Sequence, residues 1–390
     1  MTRRVLVLHN AYRSELPSGE NAVVEQEVAG LRAAGAEVTL VLRRSDDIAA
    51  MGVQDKLRTA VAPVAAPGTV REVVALARER GCEVAHLHNP YPMLSLGVVR
   101  GLHEAGIPVV HTVHNHRHTC MKGTYRRDGH DCRDCAAARL PWPGVAHRCY
   151  RGSAAQSLVM ATALTRYPYA RQPIARHLAL TPEIRESLLG AGVPEERIVL
   201  KPNGVPDPGP ATPPGRGFLF VGRVSEEKGV LLLADAWLRH PDGALGTLTV
   251  VGDGPELPVL RQRVAQRRDV ELTGQLDRPA VAERMRAAAY VVVPSVWPEA
   301  QPLVVLETLA HGRPLLVSAV GGLPALVPPG GGTVVAPDAG AWAAALAEAS
   351  VADLAQQGAA ARAAYERQHS SEVSVRRLLA VYEEVLAGRW

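Results

Sequence analysis

Aromatic residues are scarce in this sequence. Phe, Trp and Tyr together make up 4% of 390 residues, and only two of them are Phe. Any interior must therefore be packed mainly from Leu, Val and Ala. Long apolar runs are also missing, and nothing approaches the roughly 18 consecutive apolar residues of a membrane-spanning helix. The opening MTRRVLVLHN breaks its apolar run at His9 and Asn10, unlike a secretory leader. Cytoplasm is the expected location. Strong net charge is absent as well: a formal +4 gives no argument for nucleic acid as a partner. What remains is an ordinary soluble composition, 47% hydrophobic and 21% charged, on a chain long enough for two cores.

Two local concentrations stand out. From Lys122 to Arg151 seven Lys/Arg face three Asp, a patch suited to an anionic ligand or a peripheral membrane contact, or else a solvated basic loop. The same stretch holds Cys120, Cys132, Cys135 and Cys149, with a Cys-x-x-Cys at 132–135; Cys82 stands apart. Such a set in a reducing compartment suggests a structural zinc site more readily than disulfides. Reduced cysteines packing a loop and a redox pair remain open, since the outer spacings are irregular and His116, His118, His130 and His147 are further candidate ligands.

The periodicity reads as two similar halves. RVLVLH (4–9), EVTLVL (37–42), VAHLH (84–88) and PVVHTVH (108–114) read as buried strands separated by helical patterns. The first helix is expected from about Asn21 to Ala34, after a loop containing Pro17, Gly19 and Glu20. The second half repeats the alternation, with strands at 218–223, 247–254, 270–274 and 290–295 and a helix at 302–312. Strand–helix alternation implies parallel sheets covered on both faces, the doubly wound α/β arrangement. The expected organisation is a Rossmann-like domain at 1–200 with an insert at about 115–150, then a Pro/Gly-rich linker at 201–217. A second Rossmann-like domain follows at 218–370, and a helix at 371–390 is expected to cross back to the first. Two such domains would face each other across a cleft.

The richest stretch for chemistry is PSVWPEAQPLVVLETLAHGRP (294–314). With Pro302 at a first helical position, Glu299 falls in the preceding loop and Glu307 inside the helix. The amides of Leu303 and Val304 then meet whatever occupies the loop, and the helix start favours a phosphate. Two carboxylates so placed can grip two hydroxyl-rich ends of one ligand. In FVGRVSEEKG, Arg223 can fork onto phosphate oxygens and Lys228 adds a point charge, unless both serve salt bridges to Glu226 or Glu227. The glycine turns at Gly252 and at Gly321-Gly322 allow close backbone approach.

Taken in order, GRVSEEKG, VVGDGPE, the Glu299–Glu307 segment ending LETLAHGRPLLVS, and GGLP resemble the retaining glycosyltransferases of family 4, which have the GT-B fold. The first half is similar to one bacterial branch of that family, with a cysteine-containing insert. It matches in SGENAVVEQEVAGLRAAGAEV, HLHN, PVVHTVHNHRHTC, DCRDC and HRCYRGS. The resemblance implies that Arg223 and Lys228 hold a donor diphosphate, Glu299 the transferred sugar, and Glu307 the ribose. It places Ser295 and the Leu303 and Val304 amides along the nucleotide, Gly19 near the phosphates, and His114 facing the sugar. Acceptor contacts would come from the first half, around Glu20, Asn89, Tyr91 and the insert. Departures from the family pattern are Ser18-Gly19 for two glycines, Pro302 for a glycine, and Ala325 for a glutamate.

The implied activity is transfer of a hexose-type sugar from a nucleotide diphosphate sugar to a small-molecule or glycan acceptor. The leaving diphosphate would be stabilised by Arg223, Lys228 and the helix start. No Asp-x-Asp triplet is present to bridge a metal to the diphosphate, so metal-independent catalysis without a cofactor is expected, apart from the zinc question. A sugar-nucleotide epimerase on the same fold and a non-catalytic carbohydrate- or nucleotide-binding partner are the alternatives. A pyridoxal-dependent phosphorylase is disfavoured, because Lys56, Lys122, Lys201 and Lys228 are the only lysines. Donor base, acceptor and oligomeric state are not legible.

Overall fold

The computed structural model describes residues 3–14, 18–138 and 140–388, so Pro17 of the expected loop lies outside the described residues. The chain divides into two compact units, Met1–Asn203 with Ser374–Trp390, and Gly204–Val373. Each is built on a parallel six-stranded sheet.

In the first unit the strands are β1 (Arg4–Ala11), β2 (Glu37–Arg44), β3 (Val84–Leu87), β4 (Val109–Val113), β7 (Ile174–Ala179) and β8 (Ile198–Leu200), in the order β2-β1-β3-β4-β7-β8. A two-stranded antiparallel ribbon, β5 (Arg126–Arg127) and β6 (His130–Asp131), belongs to the insert. Seven of the eight β1 residues are buried, as a strand covered on both faces requires. One face is covered by the Gly19–Ala33 helix, which begins two residues before the expected start and so takes Gly19 and Glu20 into its first turn. Val24, Val28 and Leu31 of that helix share a core with Val375, Leu378, Val381, Tyr382 and Val385 of the Ser371–Leu386 helix. The two helices meet closely at Gly30, where an added Cβ would lie 2.7 Å from Val375 Cγ2.

The second unit holds β9 (Phe218–Val221), β10 (Leu248–Val251), β11 (Val270–Gly274), β12 (Tyr290–Val293), β13 (Leu315–Ser318) and β14 (Gly332–Val335), in the order β11-β10-β9-β12-β13-β14. Its main core gathers Phe218, Phe220, Trp237, Tyr290 and Trp342, so three of the five aromatics in that core come from strands. Residues 204–217 are not a loose tether. Val205 is buried and bridges Ser370, and the fully buried Arg313 bonds the Thr212 and Pro213 carbonyls.

Strand order locates the places where ligands bind in such sheets. Connections leave in opposite directions from β1 and β3 in the first unit, and from β9 and β12 in the second. At such a switch point the loops beyond the strand C-termini part and leave a crevice. The residues beyond β1, β3 and β4 include Tyr12, His88, Asn89 and His114; those beyond β9 and β12 include Gly222, Arg223, Lys228, Ser295 and Glu299.

Candidate functional site

In the second unit the loop after β9 turns through a single 3-10 turn, Glu226–Lys228, and ends at Gly229. Gly229 has φ 67° and its missing Cβ would lie 1.9 Å from Pro294 O, so this position requires glycine. The approach seats the turn against the end of β12, and Val296 N donates to Glu227 O at 3.0 Å. Lys228 Nζ consequently reaches Glu299 Oε1 at 2.5 Å, and Ser295 Oγ donates to the same oxygen at 2.8 Å. Among the described residues no ion pair joins Arg223 or Lys228 to Glu226 or Glu227, and Lys228 pairs with Glu299 instead. Arg223 is exposed.

Glycine has a different use here from the one its turns suggest. At Gly321 an added Cβ would lie 2.5 Å from Glu299 N, and Gly322 N donates to Glu299 O at 2.7 Å. At Gly252 the added Cβ would lie 1.8 Å from Gly222 O. These approaches are to the protein's own backbone, and the first clamps the Glu299 loop in place. Pro302 is the extended N-cap residue rather than the first helical one, and Leu303 opens the Leu303–Ala310 helix. Leu303 and Val304 hold its first two positions, where amides have no intrahelical acceptor. Glu307 is half-buried one turn further in, and burial pushes its carboxyl above the usual range against the opposing charge of Arg278.

The first unit has a pocket at its switch point, partly open to solvent, with about 260 Å³ of empty space including its mouth. Glu20, Asn89, Tyr91 and His114 all line it, with Asn115 and Arg117 from the start of the insert, and with His88, His111 and Tyr169, which sequence reasoning did not assign to a ligand. Tyr12 Oη donates to Glu20 Oε2 at 3.2 Å. Burial lifts the Glu20 carboxyl to about 7, partly opposed by the neighbouring Arg117 charge. Gly19 is exposed at the helix start. Asn89 is committed to structure: its Nδ2 donates to Asn10 O at 2.9 Å and its Oδ1 accepts from Tyr91 N at 3.1 Å. Its side chain ties the end of β1 to the following turn, whereas the Tyr91 hydroxyl has no hydrogen-bond partner among the described residues.

Beneath the cavity lies a buried polar network. Glu27 Oε1 sits 3.1 Å from His86 Nδ1 and 3.2 Å from His88 Nε2, close polar contacts that fall short of well-aligned hydrogen bonds. Its Oε2 accepts from Lys201 Nζ at 3.1 Å. Although burial opposes ionisation, Lys201 and His86 hold the Glu27 carboxyl well below its ordinary range. His88 Nδ1 and His114 Nε2 are 2.9 Å apart. Burial keeps both rings neutral, with His88 lowered to about 3. His86 also meets Tyr382 Oη at 2.7 Å and Thr112 Oγ1 at 2.7 Å.

In the insert, Cys120, Cys132, Cys135 and Cys149 line one further pocket, partly open to solvent. All four are free thiols. Among the described residues, the one group of three or more candidate ligand atoms within 4.8 Å of one another is Glu27, His86 and His88. The four sulfurs are therefore spread wider than a tetrahedral zinc cage, in which Zn–S bonds of about 2.3 Å bring them together. As placed they form no closed four-sulfur cage, although all four line the same pocket. Two of the basic charges nearby are compensated locally, with Arg127 Nη1 2.9 Å from Asp134 Oδ2 and Arg126 Nη1 3.9 Å from Asp131 Oδ1. Among the described residues no helix is long and apolar enough to cross a membrane.

Comparison with known proteins adds to this geometry. Residues 17–207 match the family model described as Glycosyltransferase Family 4, and residues 215–350 match that of Glycosyl transferases group 1. A D-inositol 3-phosphate glycosyltransferase of Jonesia denitrificans is 33% identical over 189 residues, 44% of this chain and 43% of that relative. The matched stretch thus spans less than half the length of that relative. Among solved structures, a glycosyltransferase from Rickettsia africae ESF-5 aligns with TM-score 0.68 at 16% identity, covering 99% of both chains. Anabaena Alr3699/HepE in complex with UDP aligns with TM-score 0.68 at 17% identity, over 98% of this chain and 100% of that one. At these identities the structures speak for the fold alone, two parallel-sheet α/β domains of the GT-B type. With both sheets matched by glycosyltransferase models in turn, the chain belongs to the glycosyltransferases of family 4.

Proposed function

We propose that the protein transfers a hexose-type sugar, with retention, from a nucleotide diphosphate sugar to a hydroxylated small-molecule or glycan acceptor. The observation that carries this reading is the cluster at the second unit's switch point. There the Lys228 ammonium, the Glu299 carboxylate and the Ser295 hydroxyl meet beside the start of the Leu303–Ala310 helix. A cation and two free helical amides suit a diphosphate, while carboxylates accept hydrogen bonds from sugar hydroxyls. Arg223 and Lys228 hold the diphosphate, Glu299 the sugar and Glu307 the ribose. The UDP bound by the Anabaena protein of the same fold supports a nucleotide as the ligand.

In the reaction the bond from the anomeric carbon to the diphosphate oxygen breaks and a bond to the acceptor forms. The acceptor's proton passes to the leaving diphosphate, whose growing charge Arg223, Lys228 and the helix start stabilise. In the first unit, the cavity around His114 and Glu20 receives hydroxyl-rich sugar groups.

The test is incubation of the purified protein with a panel of nucleotide sugars and candidate acceptors. Transfer, or slow release of free sugar from one donor, supports the reading. Interconverted donor sugar points to an epimerase, and nucleotide-dependent stabilisation without turnover to a binding partner. Glu299→Ala is expected to slow transfer chiefly through kcat, by roughly 100-fold for loss of a transition-state contact worth about 3 kcal/mol. Glu307→Ala is expected to weaken nucleotide binding. Full transfer by the Glu299 variant removes that residue from the mechanism.

A further inference from the structure

Glu27 occupies a core-facing position of its helix, where the stripe of Val24, Val28 and Leu31 calls for another aliphatic side chain. A buried carboxylate there costs desolvation that nothing in the packing requires. Its partners show what it gains. Lys201, distant in sequence, balances its charge through Oε2, and the other oxygen faces two histidines. With the ammonium already supplying positive charge 3.1 Å away, this group of Glu27, His86 and His88 is poorly suited to a cation. It is well suited to ordering protons.

We propose that Glu27, acting through His88, fixes His114 in the tautomer whose Nδ1 is unprotonated and free to accept a hydrogen bond from a sugar hydroxyl. The proposal rests on the reading of His114 as a sugar contact and makes Glu27 and His88 positioning residues for it. A neutral imidazole carries one N–H and one lone pair, and the hydrogen bond at one nitrogen decides the role of the other. Beside a carboxylate oxygen at 3.2 Å, the His88 proton belongs on Nε2. The opposite tautomer would set a ring lone pair against the carboxylate's own. His88 Nδ1 is then an acceptor, and the 2.9 Å contact requires His114 Nε2 to be the donor. His114 has no second proton to place, so Nδ1 is left bare, and it is the nitrogen remaining for a ligand in the cavity that His114 lines. Such an atom selects a group that can donate, a sugar hydroxyl, and disfavours a carboxylate in the same place.

The experiment is long-range proton–nitrogen NMR on histidine-labelled full-length protein, with His114 assigned through loss of its signals in His114→Gln. The same variants are assayed for sugar transfer. Wild-type His114 is expected to be protonated at Nε2 and bare at Nδ1. In His88→Phe and Glu27→Gln its signals should move to a mixture of tautomers. Transfer should fall roughly 10- to 100-fold in kcat, the range for removing an outer partner of a functional histidine, with the nucleotide's KM unchanged. Because Glu27→Gln strands the Lys201 ammonium, the double variant Glu27→Gln/Lys201→Met is measured beside it and should show the same tautomer mixture. A proton on His114 Nδ1 in the wild type, or an unchanged tautomer in all three variants, overturns the proposal. Full transfer by His114→Gln with the stated wild-type tautomer overturns instead the sugar contact on which it rests.

Discussion

Glu20 shows what a single side chain can reveal. Its carboxyl is lifted to about 7 by burial, against an ordinary 4.5, and Arg117 only partly offsets this. A carboxyl whose folded value exceeds its unfolded one favours the folded state in its protonated form. That contribution is complete below about 4.5 and is lost as pH rises through about 7. Urea unfolding between pH 4 and 8 should therefore show the wild type losing stability relative to Glu20→Gln across that window. Parallel curves for the two proteins would contradict the assignment. Ligand binding in the cavity should also be proton-linked, since the Glu20 carboxyl itself lines it. Proton-linked affinity near neutral pH, absent in Glu20→Gln, is the corresponding observation.

At the scale of elements, two glycines hold neighbouring segments at contact distance for different reasons. Gly30 lies inside a helix with no unusual backbone angle, where alanine is ordinarily preferred. Its value is the 2.7 Å that separates an added Cβ from Val375 Cγ2. Gly30→Ala must push the Ser371–Leu386 helix away or force Val375 from its rotamer, at a cost of about 1–3 kcal/mol in chemical denaturation. Gly229 combines a left-handed backbone with a carbonyl only 1.9 Å from its absent Cβ. Gly229→Ala should cost at least as much and, by moving the Glu226–Lys228 turn, should also separate Lys228 from Glu299. Nucleotide affinity is expected to fall with stability in Gly229→Ala but to hold in Gly30→Ala, which calorimetric titration of both variants would distinguish.

At the scale of the molecule, residues 374–388 furnish much of one covering layer of the first unit, including Leu378 and Tyr382, both fully buried. Truncation after Val373 should expose the face formed by Val24, Val28 and Leu31, and the shortened chain should bind a hydrophobic dye and lose its cooperative unfolding transition for that unit. Native-like unfolding of the truncated chain would show that the helix is dispensable. This dependence was partly legible in advance: the apolar stripe of the last helix is plain in its spacing, and so are the strands with unbroken apolar runs. β7 is not, because Arg176 and His177 interrupt IARHLA, and its burial is decided by neighbours rather than by pattern. The same limit applies to the sites. Lys228, Ser295 and Glu299 lie in motifs whose order identifies them, and the structure gathers them. Glu27 and Lys201, 174 residues apart, meet only through the fold, and Lys201 sits in a Pro/Gly-rich stretch that reads as linker. Likewise the glycine turns at 252 and 321 signal close approach without saying to what.

The return of the last helix also orders events during synthesis. A ribosome delivers all of 204–373 before it delivers Leu378 and Tyr382, so the second unit can complete its core while the first still lacks part of its own. Until then Lys201 and His86, two of the partners that surround Glu27, await the hydroxyls of Ser374 and Tyr382. The unit begun first is closed only after 204–373 have been made, and its cavity matures when the Ser371–Leu386 helix arrives.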